Sequence, residues 1–178
     1  MLPQLGLLRR QTSIAGKGSP KEGNEKLTAG LLSVLPFTPT NAQLRVIDEI
    51  KADQISTARM LRLLQGDVGS GKTFVALMAM LHALEAGYQA ALLAPTEILA
   101  RQHHASLSAL LKEMQIEPEL LLGGMKTKER RDVTQKLADG TCQIVIGTHA
   151  LLSDDIQFAK LGLAVVDEQH RFGTRCAF

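Results

Sequence analysis

Glycine, lysine and threonine recur at phosphate-binding spacing in Gly66-Asp67-Val68-Gly69-Ser70-Gly71-Lys72-Thr73. Glycines let a backbone curl until its N–H groups surround phosphate oxygens, and a helix beginning at Lys72 adds the positive end of its dipole. Lys72 is expected to reach the β- and γ-phosphates of a nucleoside triphosphate, and the Thr73 hydroxyl to ligate Mg2+. Such chemistry needs an acidic partner at the end of another buried strand. Leu163-Ala164-Val165-Val166-Asp167-Glu168 provides it. Asp167 would hold Mg2+ through its water shell, and Glu168 would orient or deprotonate the attacking water.

The elements that must position these residues are visible as alternating patterns. Short apolar runs at 61–64, 90–94, 120–122, 144–146 and 163–166 read as strands, and longer amphipathic runs at 72–86, 97–112 and 126–138 read as helices. Strands without a wet face predict an α/β fold, a parallel sheet with helices on both faces, with both nucleotide motifs in that sheet. Ligands of such sheets sit at the carboxyl ends of the strands. A further helix is expected with Asn41 as its cap and Leu44, Val46, Ile47 and Ile50 as its apolar stripe. Residues 1–36 combine Gly16, Gly18, Gly23, Gly30 and Pro20 with Arg9, Arg10, Lys17, Lys21 and Lys26. They read as a flexible basic linker with one short helix at 27–35, and residues 37–178 as the folded domain.

Composition narrows the partners. At 178 residues the chain holds one domain with a core, or one domain and a tail. A net charge of +2 permits a polyanion without marking a dedicated basic nucleic-acid domain. With one Tyr and no Trp there is no aromatic platform for stacking bases, so any nucleic-acid contact falls on the backbone. Cys142 and Cys176 form neither a disulfide framework nor a CxxC metal pair, so a reducing cytoplasm is expected. No run approaches the roughly 20 apolar residues of a membrane span, so no membrane partner is expected. His103 and His104, adjacent on a helix, point about 100° apart, the wrong geometry for sharing a metal ion.

Asp167-Glu168-Gln169-His170 resembles motif II of the superfamily-two DExH helicases. Four further stretches extend the resemblance: LPFTPTNAQ at 35–43, LLQGDVGSGKT at 63–73, APTEILARQH at 94–103 and GTHALL at 147–152, with DEQHRFG at 167–173 enclosing the acidic tetrad. As a set they are similar to the RecG family of bacterial branched-DNA translocases, over nearly the whole chain.

That resemblance implies a RecA-like phosphate-loop domain with ATP and Mg2+ as cofactors, and branched or forked DNA as a partner held through its backbone. Nucleotide would be bound by Gly66, Asp67, Val68, Gly69, Ser70, Gly71, Lys72 and Thr73, with Gln43 reading adenine and Phe37 as a stacking neighbour. Pro95, Thr96 and Glu97, then Gly123 and Gly124, then Thr148 and His149, would hold the phosphates of one DNA strand. Leu122-Gly123-Gly124 departs from the Thr-Gly common in relatives, which leaves backbone N–H groups to make that contact. Gln169 and His170 would couple nucleotide state to a second RecA-like domain. The family places that domain and motif III after this segment, and a wedge domain before it. The 178 residues are therefore expected to be the first motor domain, monomeric, of a longer enzyme. Two other readings stay open: a remnant that binds nucleotide or DNA without turnover, and a different phosphate-loop enzyme such as a small-molecule kinase.

Overall fold

Runs of Val, Ile, Leu and Ala with no polar face are satisfied as strands only when covered on both sides. The computed structural model describes residues 5–8, 23–56, 60–66 and 69–167. In it such runs form β3 (Gln89–Leu93), β5 (Ile144–Gly147) and β6 (Leu161–Val166), which join β4 (Glu119–Leu121) in a parallel sheet of order β4-β5-β3-β6. The chain divides into two compact units, residues 1–88 and 89–178, and this sheet is the centre of the second.

In that unit α4 (Glu97–Leu111) connects β3 to β4, and α5 (Thr127–Asp139) connects β4 to β5. The two connections cross the sheet in opposite directions, so right-handed crossovers place the helices on opposite faces. The side chains follow this division. Ala91, Leu121 and Val145 share a buried cluster with Val133 and Leu137 of α5, and with Cys142 and Leu151. Strand alternation turns Ala90, Leu92, Ile144 and Ile146 to the other face, where α4 packs with its buried Ala100, Leu107 and Leu111. Each leucine buried in this way contributes about 1.5–3 kcal/mol. The expectation that every strand lacks a wet face fails at β6. Among the described residues it pairs with β3 alone, and its Leu161 and Val166 are 43% and 51% exposed.

One buried polar side chain ties the amino ends of these strands together. The Gln89 amide donates from Nε2 to the carbonyls of Leu137 at 3.0 Å and Cys142 at 2.8 Å, and its Oε1 accepts from the Lys160 N–H at 2.8 Å. Every polar atom of the amide has a partner, which removes the penalty of burying it. Beside it, Cys142 is 2% exposed, and burial pushes its thiol up to about 12. Since the folded value lies above the unfolded one, the proton adds stability that is full below pH of about 8.5 and is lost as pH rises toward the folded value. Cys142 is therefore expected to resist alkylation at pH 8 until the unit opens. Peptide-resolved mass spectrometry checks this separately from Cys176, and native labelling of Cys142 as fast as in urea would refute it.

The first unit contains α1 (Lys26–Val34), α2 (Asn41–Ile55) and α3 (Lys72–Glu85), with β2 (Leu63–Gly66) leading into α3. Here one expectation is corrected. β2 does not belong to the parallel sheet; it pairs antiparallel with β1 (Leu5–Leu8), within the segment expected to be a linker. Its residues alternate between exposed and half-buried, with Leu63 at 50%, the pattern of an antiparallel strand with one wet face. Thr40, not Asn41, caps α2: its hydroxyl accepts from the Gln43 N–H while the Gln43 side chain accepts from the Thr40 N–H. Arg62 anchors the chain entering β2 to α2 through Asp53 and Glu49. Burial alone would lower the Arg62 pKa, but these hydrogen bonds raise it above its ordinary value.

From Phe74 to Leu84, α3 is buried almost all round, as its uniformly apolar sequence requires. Its one buried imidazole, His82, meets Gln54 Oε1 of α2 at 2.6 Å. The helix expected at 27–35 is α1, and Leu31 is fully buried. The N-cap residue of α1, Glu25, makes no side-chain cap bond, and Asn24 Oδ1 accepts only from the first N–H, that of Lys26, at 3.2 Å. Glu85, at the end of α3, accepts from the N–H groups of Leu27 at 2.6 Å and Thr28 at 3.1 Å. A carboxylate at a helix N-terminus satisfies its free donors and meets the positive end of the dipole. The expected boundary between linker and domain at residue 36 lies between α1 and α2.

Candidate active site

β2 ends at Gly66 and α3 begins at Lys72, so the phosphate loop spans the strand-to-helix turn its chemistry needs. Asp67 and Val68 lie outside the described residues. Gly69 and Gly71 have φ of 80° and 81°, and Gly71 in the left-handed region is the residue preceding α3. A Cβ at Gly71 would also overlap the Gln43 amide, so both backbone angle and packing demand glycine there. The Ser70 hydroxyl is buried and has no partner among the described residues. Lys72 Nζ donates to the Gly66 carbonyl at 2.7 Å, folding the ammonium across the loop, and Thr73 is exposed in the first turn of α3.

Gln43, assigned to adenine by resemblance, has both ends of its amide engaged within the chain. Oε1 accepts from Thr40, and Nε2 donates to the Ser70 carbonyl at 2.9 Å, with the side chain 7% exposed. It is a strut between the first turn of α2 and the phosphate loop. Phe37 is 48% exposed, edge-on to Phe74 with centroids 5.6 Å apart. It lines an open groove of about 440 Å³ with Leu32, Leu35, Pro36, Thr38, Pro39 and Leu44.

In the second unit, parallel strands bring every carboxyl end to one edge of the sheet. The loops after β4, β5 and β3 therefore lie in a row, carrying Gly123 and Gly124, Thr148 and His149, and Pro95 and Thr96. Gly123, Gly124 and Thr96 are exposed, and the Thr96 hydroxyl caps α4 by accepting from the Leu99 N–H at 3.3 Å, with its own proton still available. Glu97 faces the Gly123-Gly124 turn. An ionised carboxylate only accepts, so it is unsuited to meeting a phosphate directly. Thr148 is 3% exposed, whereas His149 beside it is open to solvent. Arg130 holds the following turn by donating to Ser153 at 2.8 Å and to both oxygens of Asp155. The Ser153 hydroxyl first, and Arg130 second, keep the Asp155 carboxyl below its ordinary pKa.

Asp167 follows β6 at the same edge, with its N–H donating to the Leu93 carbonyl at 2.8 Å. Its Oδ2 lies 2.7 Å from His103 Nε2 of α4. Glu168, Gln169 and His170 lie outside the described residues.

Residues 40–178 match the DEAD/DEAH box helicase family. The chain belongs to that family. It is 48% identical to the ATP-dependent DNA helicase RecG of Streptococcus pneumoniae serotype 4 over 96% of its own length and 25% of the relative's. To RecG of Bacillus subtilis it is 51% identical, over 84% of this chain and 22% of that one. The chain thus spans about a quarter of the length of these relatives. A structure of RecG bound to a three-way DNA junction superposes with a TM-score of 0.83 at 45% identity, over 90% of this chain and 22% of that one. A hypothetical ATP-dependent RNA helicase from Sulfolobus tokodaii, at 20% identity and TM-score 0.56, shares the fold.

The helicase fold expected from the motifs is present, and membership of this family implies nucleotide binding. Among the described residues no helix is long and apolar enough to cross a membrane. The sequence did not reveal the partner of His103, which is 64 residues distant from it and marked by no local spacing. His104 turns instead to the Pro118 carbonyl at 2.8 Å, so the adjacent imidazoles serve different contacts.

Proposed function

We propose that this chain is the ATP-binding motor domain of a RecG-like DNA helicase, acting on branched DNA through backbone contacts and working with a second RecA-like domain. The phosphate loop carries the reading. Its glycine-rich turn, the exposed Thr73 and the buried Ser70 hydroxyl, unpartnered among the described residues, suit a phosphate chain with its metal. Lys72 would exchange the Gly66 carbonyl for β- and γ-phosphate oxygens, Thr73 and Asp167 would hold Mg2+, and Glu168 would orient water. Bound Mg2+ would supply charge neutralisation to the phosphates. Phe37, with its exposed ring, is the stacking group for adenine; Gln43 shapes the loop and reads the base only by releasing Thr40 or Ser70.

DNA would lie along the edge formed by the loops after β4, β5 and β3. Phosphates would meet the backbone of Pro95, Gly123 and Gly124, the Thr96 hydroxyl and the His149 ring, with Glu97 shaping the turn and the buried Thr148 supporting the loop that carries His149. Neutralising two or three phosphates gives a slope of log K against log salt of roughly −2 to −3. Fluorescence anisotropy with a three-way junction at several salt concentrations tests this. A slope near −8, or marked preference for one sequence, would refute backbone-only binding.

A further inference from the structure

We propose that His103 is a positioning residue for Asp167, fixing the carboxylate in the orientation that a divalent cation with bound nucleotide requires. The inference rests on the nucleotide reading above. Asp167 has its backbone fixed by the hydrogen bond to Leu93, but its side-chain torsions need a separate restraint. His103 supplies one. Its Nε2 lies 2.7 Å from Oδ2, and because an ionised carboxylate only accepts, the ring nitrogen carries the hydrogen and donates.

The donor is itself held in place. α4 is anchored by the buried Ala100, Leu107 and Leu111, and the neighbouring His104 ring is bonded to the Pro118 carbonyl. The His103 and Asp167 side chains are 15% and 30% exposed, so water competes weakly for the pair. Oδ2 is thereby committed to His103, and Asp167 would hold a divalent cation with the oxygen that His103 leaves open. A partner one bond removed from a metal ligand typically changes metal affinity by about 10–100-fold when removed. His103 also stands seven positions beyond Thr96 on the same helix, so the element proposed to meet DNA at its start bears on the metal carboxylate farther along.

The experiment measures affinity for a fluorescent ATP analogue with saturating Mg2+ and with EDTA, using the full chain, His103→Ala, His103→Gln and Lys72→Ala. His103→Ala is expected to weaken binding about tenfold in Mg2+ and not at all in EDTA. His103→Gln, whose Nε2 can donate to the same oxygen, is expected to restore the Mg2+ value. Unchanged affinity in His103→Ala, equal loss with and without Mg2+, or failure of His103→Gln to rescue would each overturn the proposal. The nucleotide reading is judged separately. It requires wild type to bind and Lys72→Ala to lose affinity under both conditions; a wild-type chain that binds no nucleotide defeats both proposals together.

Discussion

Lys72→Ala is expected to lose Mg·ATP binding by about a hundredfold or more while keeping its fold. A hydrogen bond to a charged group is worth about 1.5–3 kcal/mol, and this ammonium would serve two phosphates. The N–H groups of the loop and the dipole of α3 remain, but they hold the phosphate chain without a full positive charge. Folding should be nearly indifferent to the change. The lysine sits at the first position of α3, where alanine is a good helix former. Calorimetric titration with Mg·ATP, paired with circular-dichroism melts, checks both halves of the statement. Equal binding by wild type and variant would show that phosphate is not held here.

Gly147→Ala is expected to be severely destabilising, although it adds a single methyl group. Gly147 ends β5 and pairs with Leu121 of β4 and Leu93 of β3. A Cβ there would overlap the Leu121 carbonyl oxygen and press on Leu151 Cγ and Cδ1 at 3.0 and 3.1 Å. The leucine can turn aside, but the carbonyl belongs to the neighbouring strand and moves only if the sheet does. Overpacking typically costs about 1–3 kcal/mol, and a clash with backbone places this substitution at about 3 kcal/mol or above. The second unit should melt roughly 12–24 °C lower. Gly124→Ala is the control: its Cβ would sit at an ordinary 3.8 Å from Glu97 Oε1, and its melt should be close to wild type. Identical melts for the two variants would show that the β4–β5 spacing is looser than described. A shift of β5 would also displace Thr148 and His149, so DNA binding should weaken with stability.

Gly147 and Gly71 illustrate different limits of sequence reading. Gly71 was legible because phosphate loops place a glycine before the lysine for a local reason, a positive φ at the helix start. Gly147 was legible only as part of a motif. Its structural cause is a carbonyl on a strand more than twenty residues earlier in the chain. The glutamines divide similarly. The first-turn pairing of Thr40 with Gln43 follows a local spacing rule, whereas the bond from Gln43 to Ser70 spans 27 residues and redirects a side chain otherwise assigned to adenine.

By itself the sequence determined the alternation of helix and strand, the glycine-rich turn between β2 and α3 and the acidic residue after β6. Each is encoded locally, by hydrophobic period, by glycine at turns and by residue types at fixed offsets. Tertiary structure alone decided which strand β2 would pair with, that Glu85 would cap α1 across 58 residues, and that His103 would hold Asp167 across 64. The physical reason is that periodicity states which face of an element must be buried and leaves its partner unspecified. Partners are chosen by packing and by the need of each buried polar group to be satisfied, conditions met only when distant parts of the chain have come together.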